Sequence, residues 1–434
     1  MTSDESDRSR VLIGLRGYVV LVLFAAAAPS AGEVAAPPFP YVWATATHVL
    51  PQTSSYESGY FSLVDGLDGR MYVGTAFYGR NSYLVEFDPR TRSQKIVIDT
   101  HALCGLDATG YAAQAKIHTR NFVGASGKVY CGSMRGERQE GDTSRYPGGY
   151  VMVYDPSAGR AENLGMPMAG MGVIDVAADE ARGLVYAVLK PEGHWMLRDA
   201  VSRRWRDLGP RALYYGQALI DGRGRAHVIT RDGFHLATYD PESDGVTTRA
   251  IRADAALLGQ HIPSWRLAPD GRTSYLMGGR DDTTLWSLDL DAAGEGIEAR
   301  RIGRMLVGTN PLSNSGLDVA PDGRVYAVIR VDNETGFVGK PHPRSHFQNE
   351  AWVHHLARYD PASKRIEDLG VLAIRNPGFV DFQRRPHCHS YQTFPDGTLA
   401  PKDHHFALKI NRDGEIYVTT IYPLALLRIT GDPK

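Results

Sequence analysis

The sequence predicts an all-β fold, a seven-bladed β-propeller, because one turn, one strand ending and one spacing recur along the chain. The turn is an Asp-Gly pair or an equivalent pair between short strands of alternating polarity. Such residues supply the positive φ angles that tight hairpins need. Seven copies occur, at residues 68–74, 126–132, 182–186, 223–227, 270–272, 322–326 and 413–417.

The strand ending is a second repeated phrase, in which a hydrophobic strand closes on Asp-Pro. It occurs at residues 85–89, 152–156, 237–241 and 357–361. A further strand follows, as at residues 161–165 and 366–370. Four strands in each repeat of roughly 40 to 60 residues correspond to one propeller blade.

Two other architectures stay open from the sequence. One is a two-sheet sandwich whose turns are alike by chance. The other is an eight-bladed propeller, because Pro395-Asp396-Gly397 forms an additional turn. That turn lies in a long irregular insert between residues 331 and 405, which favours seven blades. We expect residues 41–49 to pair with the last blade, since closing the ring removes exposed strand edges.

Composition excludes one class of partner. The 434 residues include 48 basic and 49 acidic side chains, which gives a net charge of −1. A protein that binds nucleic acid electrostatically would need a strong basic excess. We therefore expect no nucleic-acid partner.

The N-terminus has the features of an export signal. Arg8 and Arg10 precede a short apolar run at residues 17–28, and Pro29 follows it. The run is too short to span a bilayer comfortably. We predict a signal peptide at residues 1–32 and a propeller domain at residues 40–434. The protein would then be secreted or periplasmic, without membrane contact after cleavage; an uncleaved anchor is the alternative.

Three cysteines, Cys104, Cys131 and Cys388, are too few for a disulfide scaffold. One bridge between Cys104 and Cys131 is compatible with the sequence. The odd count leaves at least one thiol free or available as a ligand.

The insert is rich in histidine and predicts a metal site. His387 and His389 flank Cys388, and on an extended strand the two imidazoles point to the same face. Such a pair can bind a transition-metal ion with a ligand from elsewhere, for which His48 is a candidate. Loop histidines without a metal are the alternative. The other histidines of the insert are expected at the surface, namely His342, His346, His354 and His355.

His118 lies directly before the inner strand of the second predicted blade, near the propeller axis. Tyr215 lies at the corresponding place in the fourth blade, and Arg231 follows the inner strand there. The three side chains could meet in one axial pocket. From position alone, packing of Tyr215 between blades and surface exposure of Arg231 are the simpler interpretation.

The whole repeat pattern resembles the β-propeller polysaccharide lyases, above all the ulvan lyases. More loosely, it is similar to oligogalacturonate and rhamnosyl-glucuronate lyases. That family uses a histidine in blade two and a tyrosine and an arginine in blade four, matched in order by His118, Tyr215 and Arg231. The resemblance implies a monomer acting on an anionic polysaccharide. It also implies that Tyr275 faces the substrate.

The same resemblance implies a structural zinc ion or another divalent metal held by histidine and cysteine. One feature departs from the family, since a second histidine about twenty residues after His118 is absent: residues 138–140 read Arg-Gln-Glu. The predicted metal ligands are His48, His387, Cys388, His389 and His405.

β-Elimination on a uronic acid needs a cation at the carboxylate, a base for the C5 proton and an acid for the departing O4. Arg231 suits the first role, because its planar fork pairs with carboxylate. His118 suits the base. Tyr215 suits the acid, or acid and base together. Arg120 and Lys116 flank His118 and are predicted to bind substrate anions.

Two other functions stay open, since a propeller fold does not choose among them. One is a non-catalytic propeller that binds carbohydrate or protein. The other is a metal-dependent hydrolase or lactonase-like propeller with an axial metal, for which Asp175 and Asp318 are candidate ligands.

Overall fold

The computed structural model describes residues 36–430, except 56–59, 233–234, 254–263, 279, 346 and 381–388. This part of the chain is almost entirely β. Helix α1 (Thr100–Cys104) is capped by the Asp99 carboxylate, which accepts a hydrogen bond from the Ala102 amide. No helix within the described ranges has the length and apolar character needed to cross a bilayer. Short 3₁₀ turns occupy Pro51–Thr53, Gly110–Ala112 and Pro377–Phe379.

Strand β1 (Tyr41–His48) precedes the first of a series of small antiparallel sheets. In this sheet each strand pairs with the next along the chain. The first hairpin turns at Gly69, whose φ of +77° is left-handed, and the Asp68 side chain accepts the Arg70 amide at 3.1 Å. The predicted Asp-Gly turn is therefore confirmed here. The sheet contains β2 (Leu63–Asp65), β3 (Met71–Gly74), β4 (Tyr83–Phe87) and β5 (Gln94–Asp99).

The next two sheets repeat this order. The innermost strand of the first is interrupted, and its two pieces, β6 (Lys116–Ile117) and β7 (Phe122–Val123), pair with the same neighbour. The remaining strands are β8 (Val129–Met134), β9 (Val151–Asp155), β10 (Arg160–Gly165), β11 (Gly172–Asp179), β12 (Leu184–Lys190), β13 (His194–Asp199) and β14 (Trp205–Arg211).

Two further four-stranded units follow and are joined by their outer strands, which run parallel to one another. Within each unit the strands pair antiparallel in chain order. Their strands are β15 (Ala218–Ile220), β16 (Ala226–Ile229), β17 (His235–Asp240), β18 (Gly245–Arg252), β19 (Ser264–Leu267), β20 (Thr273–Met277), β21 (Thr284–Asp289) and β22 (Gly296–Arg304).

The C-terminal part adds two antiparallel units and a small ladder built from the predicted insert. Its strands are β23 (Leu317–Val319), β24 (Val325–Asp332), β25 (Lys340–Pro341), β26 (Trp352–Asp360), β27 (Arg365–Ile374), β28 (Tyr391–Thr393), β29 (Leu399–Pro401), β30 (His405–Ile410), β31 (Ile416–Thr420) and β32 (Ala425–Ile429). The ladder consists of β25, β28 and β29.

Strand β1, near the start of the described residues, pairs with two strands of the C-terminal part. Its second half, Thr45 to His48, pairs antiparallel with β32, and its first half pairs parallel with β27. Every second residue, Val42, Ala44 and Ala46, is buried. The prediction that residues 41–49 pair with the last repeat is confirmed.

The apolar core lies in layers between neighbouring sheets. Three tyrosine pairs join successive sheets in the same way: Tyr72 with Tyr154, Tyr186 with Tyr239, and Tyr275 with Tyr359. Their ring centroids are 6.0, 6.0 and 6.2 Å apart. Aromatic pairs at this distance add to the stability gained from buried area. Sheets of this kind, whose inner strands share one central pocket, form a β-propeller; the count of seven blades stays a prediction.

The structure corrects two expectations. Cys104 and Cys131 are free thiols, so they form no bridge. Burial raises the pKa of the Cys104 thiol to about 12, which makes it unreactive at neutral pH. His354 was expected at the surface, but only 1% of it is exposed, because it lies on strand β26 and packs against the Pro401 carbonyl and the His405 ring.

Candidate functional site

The innermost strands converge on a central pocket of about 340 Å³. Each antiparallel unit of the propeller contributes residues to its wall. The wall is strongly charged, because it includes both carboxylates and cations close to the axis. These charged residues are Asp65, Arg120, Asp175, Arg266, Asp318, Lys409 and Arg412.

Ion pairs connect most of these charges. Lys409 Nζ lies 3.2 Å from Asp318 Oδ2 and 3.3 Å from Asp65 Oδ1. Arg266 Nε lies 3.3 Å from Asp318 Oδ1. Burial opposes the charge on Lys409, but the two carboxylates outweigh it and raise the pKa of the ammonium group above its ordinary value. Asp318 is thus fully engaged with protein cations.

Asp175 is engaged as well. Its Oδ1 lies 3.8 Å from Arg120 Nη1, and its Oδ2 accepts the Ala218 amide at 2.9 Å. Burial raises the pKa of this carboxyl to about 6. Asp175 and Asp318 both line the axis, as the metal-dependent alternative requires, but the contacts they make are with cations and amides.

His118 lies two residues before Arg120, which lines this pocket, in the gap between β6 and β7; it is itself buried. The gap is held open by Thr119, whose hydroxyl accepts the Gly132 amide at 3.0 Å and donates to Asn121 at 2.8 Å. Asn121 has a φ of +51°, a left-handed conformation that asparagine tolerates better than most residues. Because β6 ends at Ile117 and β7 begins at Phe122, His118 lies outside the regular strand pairing.

The imidazole of His118 lies between two tyrosine rings. It is nearly parallel to Tyr60 at 4.6 Å and to Tyr215 at 6.2 Å, and it meets Phe61 edge-on at 4.7 Å. Its Nδ1 has no hydrogen-bond partner among the described residues. Burial, together with the charges of Lys116 and Lys190, holds the pKa of His118 well below 6.5. The ring is therefore neutral at physiological pH and can accept a proton.

Tyr60 has an unusual backbone beside this ring. Its φ of +80° is rare for a bulky residue and costs about 1–3 kcal/mol. Conformations of this kind concentrate at functional sites, where neighbouring structure holds them in place. The strain fits a role for Tyr60 in positioning His118.

Tyr215 is held by a residue that the sequence reasoning missed. Lys190, the last residue of β12, donates a hydrogen bond of 2.7 Å from Nζ to the Tyr215 hydroxyl. The ammonium group also lies over the rings of Tyr215 and Tyr214, at 4.0 and 4.4 Å from their centroids. Burial, with Lys116 nearby, lowers the pKa of Lys190 to about 8. Burial raises the pKa of Tyr215 to about 12.

The rings of Tyr60, Phe61 and Tyr215 form an aromatic cluster around His118. The two predicted anion-binding residues, Lys116 and Arg120, flank this cluster. Lys116 is 5% exposed, and its Nζ lies over the rings of Tyr60 and Tyr78. Arg120 lies below the cluster, where it donates to the Ser315 hydroxyl at 3.0 Å and to the Tyr215 carbonyl at 3.2 Å. Arg120 is therefore tied into the wall, whereas Lys116 lies beside the exposed carboxylate of Glu137 at 3.8 Å.

Two predicted site residues take other places. Arg231 is exposed, and its guanidinium donates to the carbonyl of Glu192 at 3.2 Å, two residues beyond Lys190. Tyr275 is buried between sheets against Tyr359. No contact joins either side chain to His118 within the described part of the chain.

The predicted metal ligands fall into three groups. His387 and Cys388 lie outside the described residues. His48 Nε2 lies 3.0 Å from the Phe379 carbonyl, and His389 stacks on Tyr422 at 4.7 Å. His405 is buried edge-to-face against His354 at 5.0 Å. No group of three potential metal-binding side chains forms among the described residues, so the metal site stays a prediction.

The fold and the axial site define the class of this chain: it is a β-propeller protein. The β-propeller domain of Cps50 (Swd1) from Myceliophteria thermophila shares 10% identity at a TM-score of 0.50, over 86% of this chain and 97% of that one. A catalytically inactive virginiamycin B lyase from Staphylococcus aureus with quinupristin has a TM-score of 0.53 at 7% identity, over 90% and 99% of the two chains.

A fungal alcohol oxidase of the AA5 family, in complex with copper, has a TM-score of 0.52 at 10% identity. The match covers 88% of this chain and 75% of that one. No family model and no curated protein matches the sequence. At such low identity these likenesses show the fold alone.

Proposed function

We propose that this chain is an exported, monomeric, seven-bladed propeller lyase that cleaves a uronic-acid-containing polysaccharide of the ulvan type by β-elimination. The observation that supports it best is the arrangement of His118, Tyr215 and Lys190. A neutral imidazole lies parallel to a phenol whose hydroxyl is hydrogen-bonded to an ammonium group. These are a base, an acid and a cation close together, and Arg120 of the pocket wall is hydrogen-bonded to the Tyr215 backbone.

In the proposed reaction, His118 removes the proton from C5 of the uronate. The electron pair left on C5 forms the C4–C5 double bond as the bond from C4 to O4 breaks, and the Tyr215 hydroxyl protonates O4. General acid and base groups of this kind contribute about 10²–10⁴-fold each. Lys190 stays protonated and stabilises the Tyr215 phenolate through their hydrogen bond, until water takes the C5 proton from His118 and returns a proton to Tyr215.

Lys116 and Lys190 neutralise the uronate carboxylate in this proposal. The sequence had predicted that role for Arg231. Both ammonium groups lie in the aromatic cluster around His118, and each lowers the pKa of His118. Arg231, with its guanidinium on the Glu192 carbonyl, suits substrate binding at the rim. Arg120 acts as a positioning residue, because it is bonded to Ser315 and to the Tyr215 backbone.

The test is direct. Purified protein is incubated with ulvan, glucuronan and pectic polysaccharide, and the unsaturated product is followed by ultraviolet absorbance. His118→Ala should abolish product formation. The matched control is His235→Ala, because His235 is exposed and hydrogen-bonded to Asp232 at 2.9 Å. Lack of product on all three substrates would contradict the proposal, as would full activity of His118→Ala.

A non-catalytic carbohydrate-binding propeller is the second candidate, because the aromatic and cationic cluster could hold an anionic sugar without reaction. Binding of ulvan without any product, lost in Lys190→Met, would establish it. The metal-dependent hydrolase has less support, since Asp175 and Asp318 form ion pairs with Arg120, Arg266 and Lys409.

A further inference from the structure

One position of the repeat is filled differently in the third sheet. The third strand of six of the described units leads to an aspartate, and in five of them the residue before that aspartate is a buried apolar or aromatic side chain. These residues are Phe87, Tyr154, Tyr239, Leu288 and Tyr359. In strand β13 the same position holds Arg198, before Asp199.

The usual occupant fills the space towards the preceding sheet. Tyr154 contacts Tyr72 there, and Tyr239 contacts Tyr186. The corresponding tyrosine in the sheet before Arg198 is Tyr130. Where the tyrosine pair would form, a cavity of about 490 Å³ opens, with Tyr130 in one wall and Arg198 in the other. Pockets for small ligands commonly have a volume of about 300–1,000 Å³.

Strand alternation aims Arg198 into this cavity. Residues two apart on a strand share a face, and Met196 packs in the apolar layer between the second and third sheets. Arg198 pairs with Val185 on β12, which belongs to the same layer. The guanidinium therefore extends from an apolar layer.

The charge of the Arg198 guanidinium acts on the neighbouring Asp199 carboxylate, but the two groups form no ion pair. The residue is 8% exposed, its buried Nε has no hydrogen-bond partner, and no carboxylate lies within ion-pair distance among the described residues. Glu180 lines the cavity, but its oxygens accept bonds from the Ser126 amide, the Ser126 hydroxyl and the Tyr130 hydroxyl. Asp155 binds its own turn through the Ser157 and Ala158 amides.

The charges around the cavity favour an anion. Four cations line it, Lys128, Arg160, Arg198 and Arg203, against three carboxylates, Asp155, Glu162 and Glu180. Two of those carboxylates are engaged elsewhere, and Glu162 is exposed. A buried donor without a partner is unfavourable for folding, and the Nε of Arg198 is such a donor, so an anion bound at the guanidinium would offset that cost.

We propose that this cavity binds a small ligand that carries one carboxylate or sulfate group, with the charged group paired to Arg198. The planar guanidinium matches either oxyanion through two parallel hydrogen bonds. Lys128, which is half-buried, lies beside the same space, and Arg160 and Arg203 lie at its exposed rim. The site lies between the second and third sheets and does not depend on the proposed lyase activity.

Isothermal titration tests the proposal, with sodium glucuronate, sodium sulfate and neutral glucose as separate probes in a low-salt buffer. Glucuronate or sulfate should bind the wild-type protein, and glucose should not. Arg198→Met keeps the length of the side chain and removes the charge, so it should weaken binding of the anion by about tenfold or more. Arg204→Met is the matched control, because Arg204 is exposed and lies outside the cavity lining.

Thermal unfolding without ligand provides the second measurement. Arg198→Met should unfold at the same temperature as the wild type or higher, because it removes a charge that forms no ion pair and a buried Nε that has no hydrogen-bond partner. Anion binding unaffected by Arg198→Met would overturn the proposal, and so would failure of both anions to bind the wild-type protein. A marked loss of stability in the ligand-free variant would also overturn it. Because no turnover is measured, these outcomes are separate from those of the lyase test.

Discussion

Lys190 Nζ donates a 2.7 Å hydrogen bond to the phenolic oxygen of Tyr215. The two residues come from different sheets, since Lys190 ends β12 and Tyr215 lies in the turn before β15. Their contact places a cation and a proton donor beside His118.

Tyr215→Phe should lower kcat on the cleaved polysaccharide by about 100-fold or more, because it removes the proposed acid and leaves the ring stack with His118 in place. Steady-state assay of the unsaturated product measures it. Tyr239→Phe is the control, because its hydroxyl bonds at 2.8 Å to Asp244, which lies in the turn between β17 and β18. Equal activity of both variants would rule out Tyr215 as the acid.

The pH profile of kcat/KM should have an alkaline limb near pH 8. Burial and Lys116 lower the pKa of Lys190 to about 8, with Arg135 acting in the same direction and Glu137 in the opposite one. Above that pH the amine is neutral and the carboxylate loses a counter-charge. Lys190→Arg should move the limb to higher pH, since guanidinium keeps its proton. An unchanged limb in this variant would exclude Lys190 as its origin.

The stability of the protein should fall as the pH decreases below 6.5, in part through His118. Burial keeps the pKa of His118 well below 6.5 in the folded state, so the unfolded chain binds more protons in that range. The contribution of neutral His118 to the free energy of unfolding is complete above the pKa that His118 has in the unfolded chain. It declines as the pH falls towards the pKa that His118 has in the folded protein. His118→Phe should give a shallower slope of unfolding free energy against pH, measured by urea titration.

His235→Phe serves as the control for that slope, because the side chain of His235 is 41% exposed. Asp175 acts in the opposite direction in wild type and variant alike, since burial raises its pKa to about 6. The comparison of slopes therefore isolates His118. Identical slopes for wild type and His118→Phe would show that the imidazole is protonated to the same extent in both states.

Closure by β1 should be essential for stability. Ala44 is fully buried, and Ala44→Asp would place a carboxylate in the layer between β1 and its neighbours. We expect a loss of about 3 kcal/mol in unfolding free energy. Thr45→Asp, on the opposite face of the strand, should cost much less. Equal losses would contradict the observed register of β1.

The repeat unit was predictable from the sequence because its signals are local. An Asp-Gly turn such as Asp68-Gly69 needs only its own backbone, and alternation along a strand such as β1 needs only its own side chains. The prediction that His118 lies near the axis rests on the same repeat. Contacts between sheets are harder to predict: Tyr275, which the resemblance implied to face the substrate, packs instead against Tyr359, 84 positions later in the sequence.

What the sequence by itself determined is therefore the repeat, the all-β class and the strand that closes it. Tertiary structure alone decided that Lys190 reaches Tyr215, that His354 is buried, and that Arg198 faces a cavity instead of solvent. The physical reason is that turns and strands depend on neighbours in the chain. Burial and pairing of charges depend on which faces the folded sheets bring together.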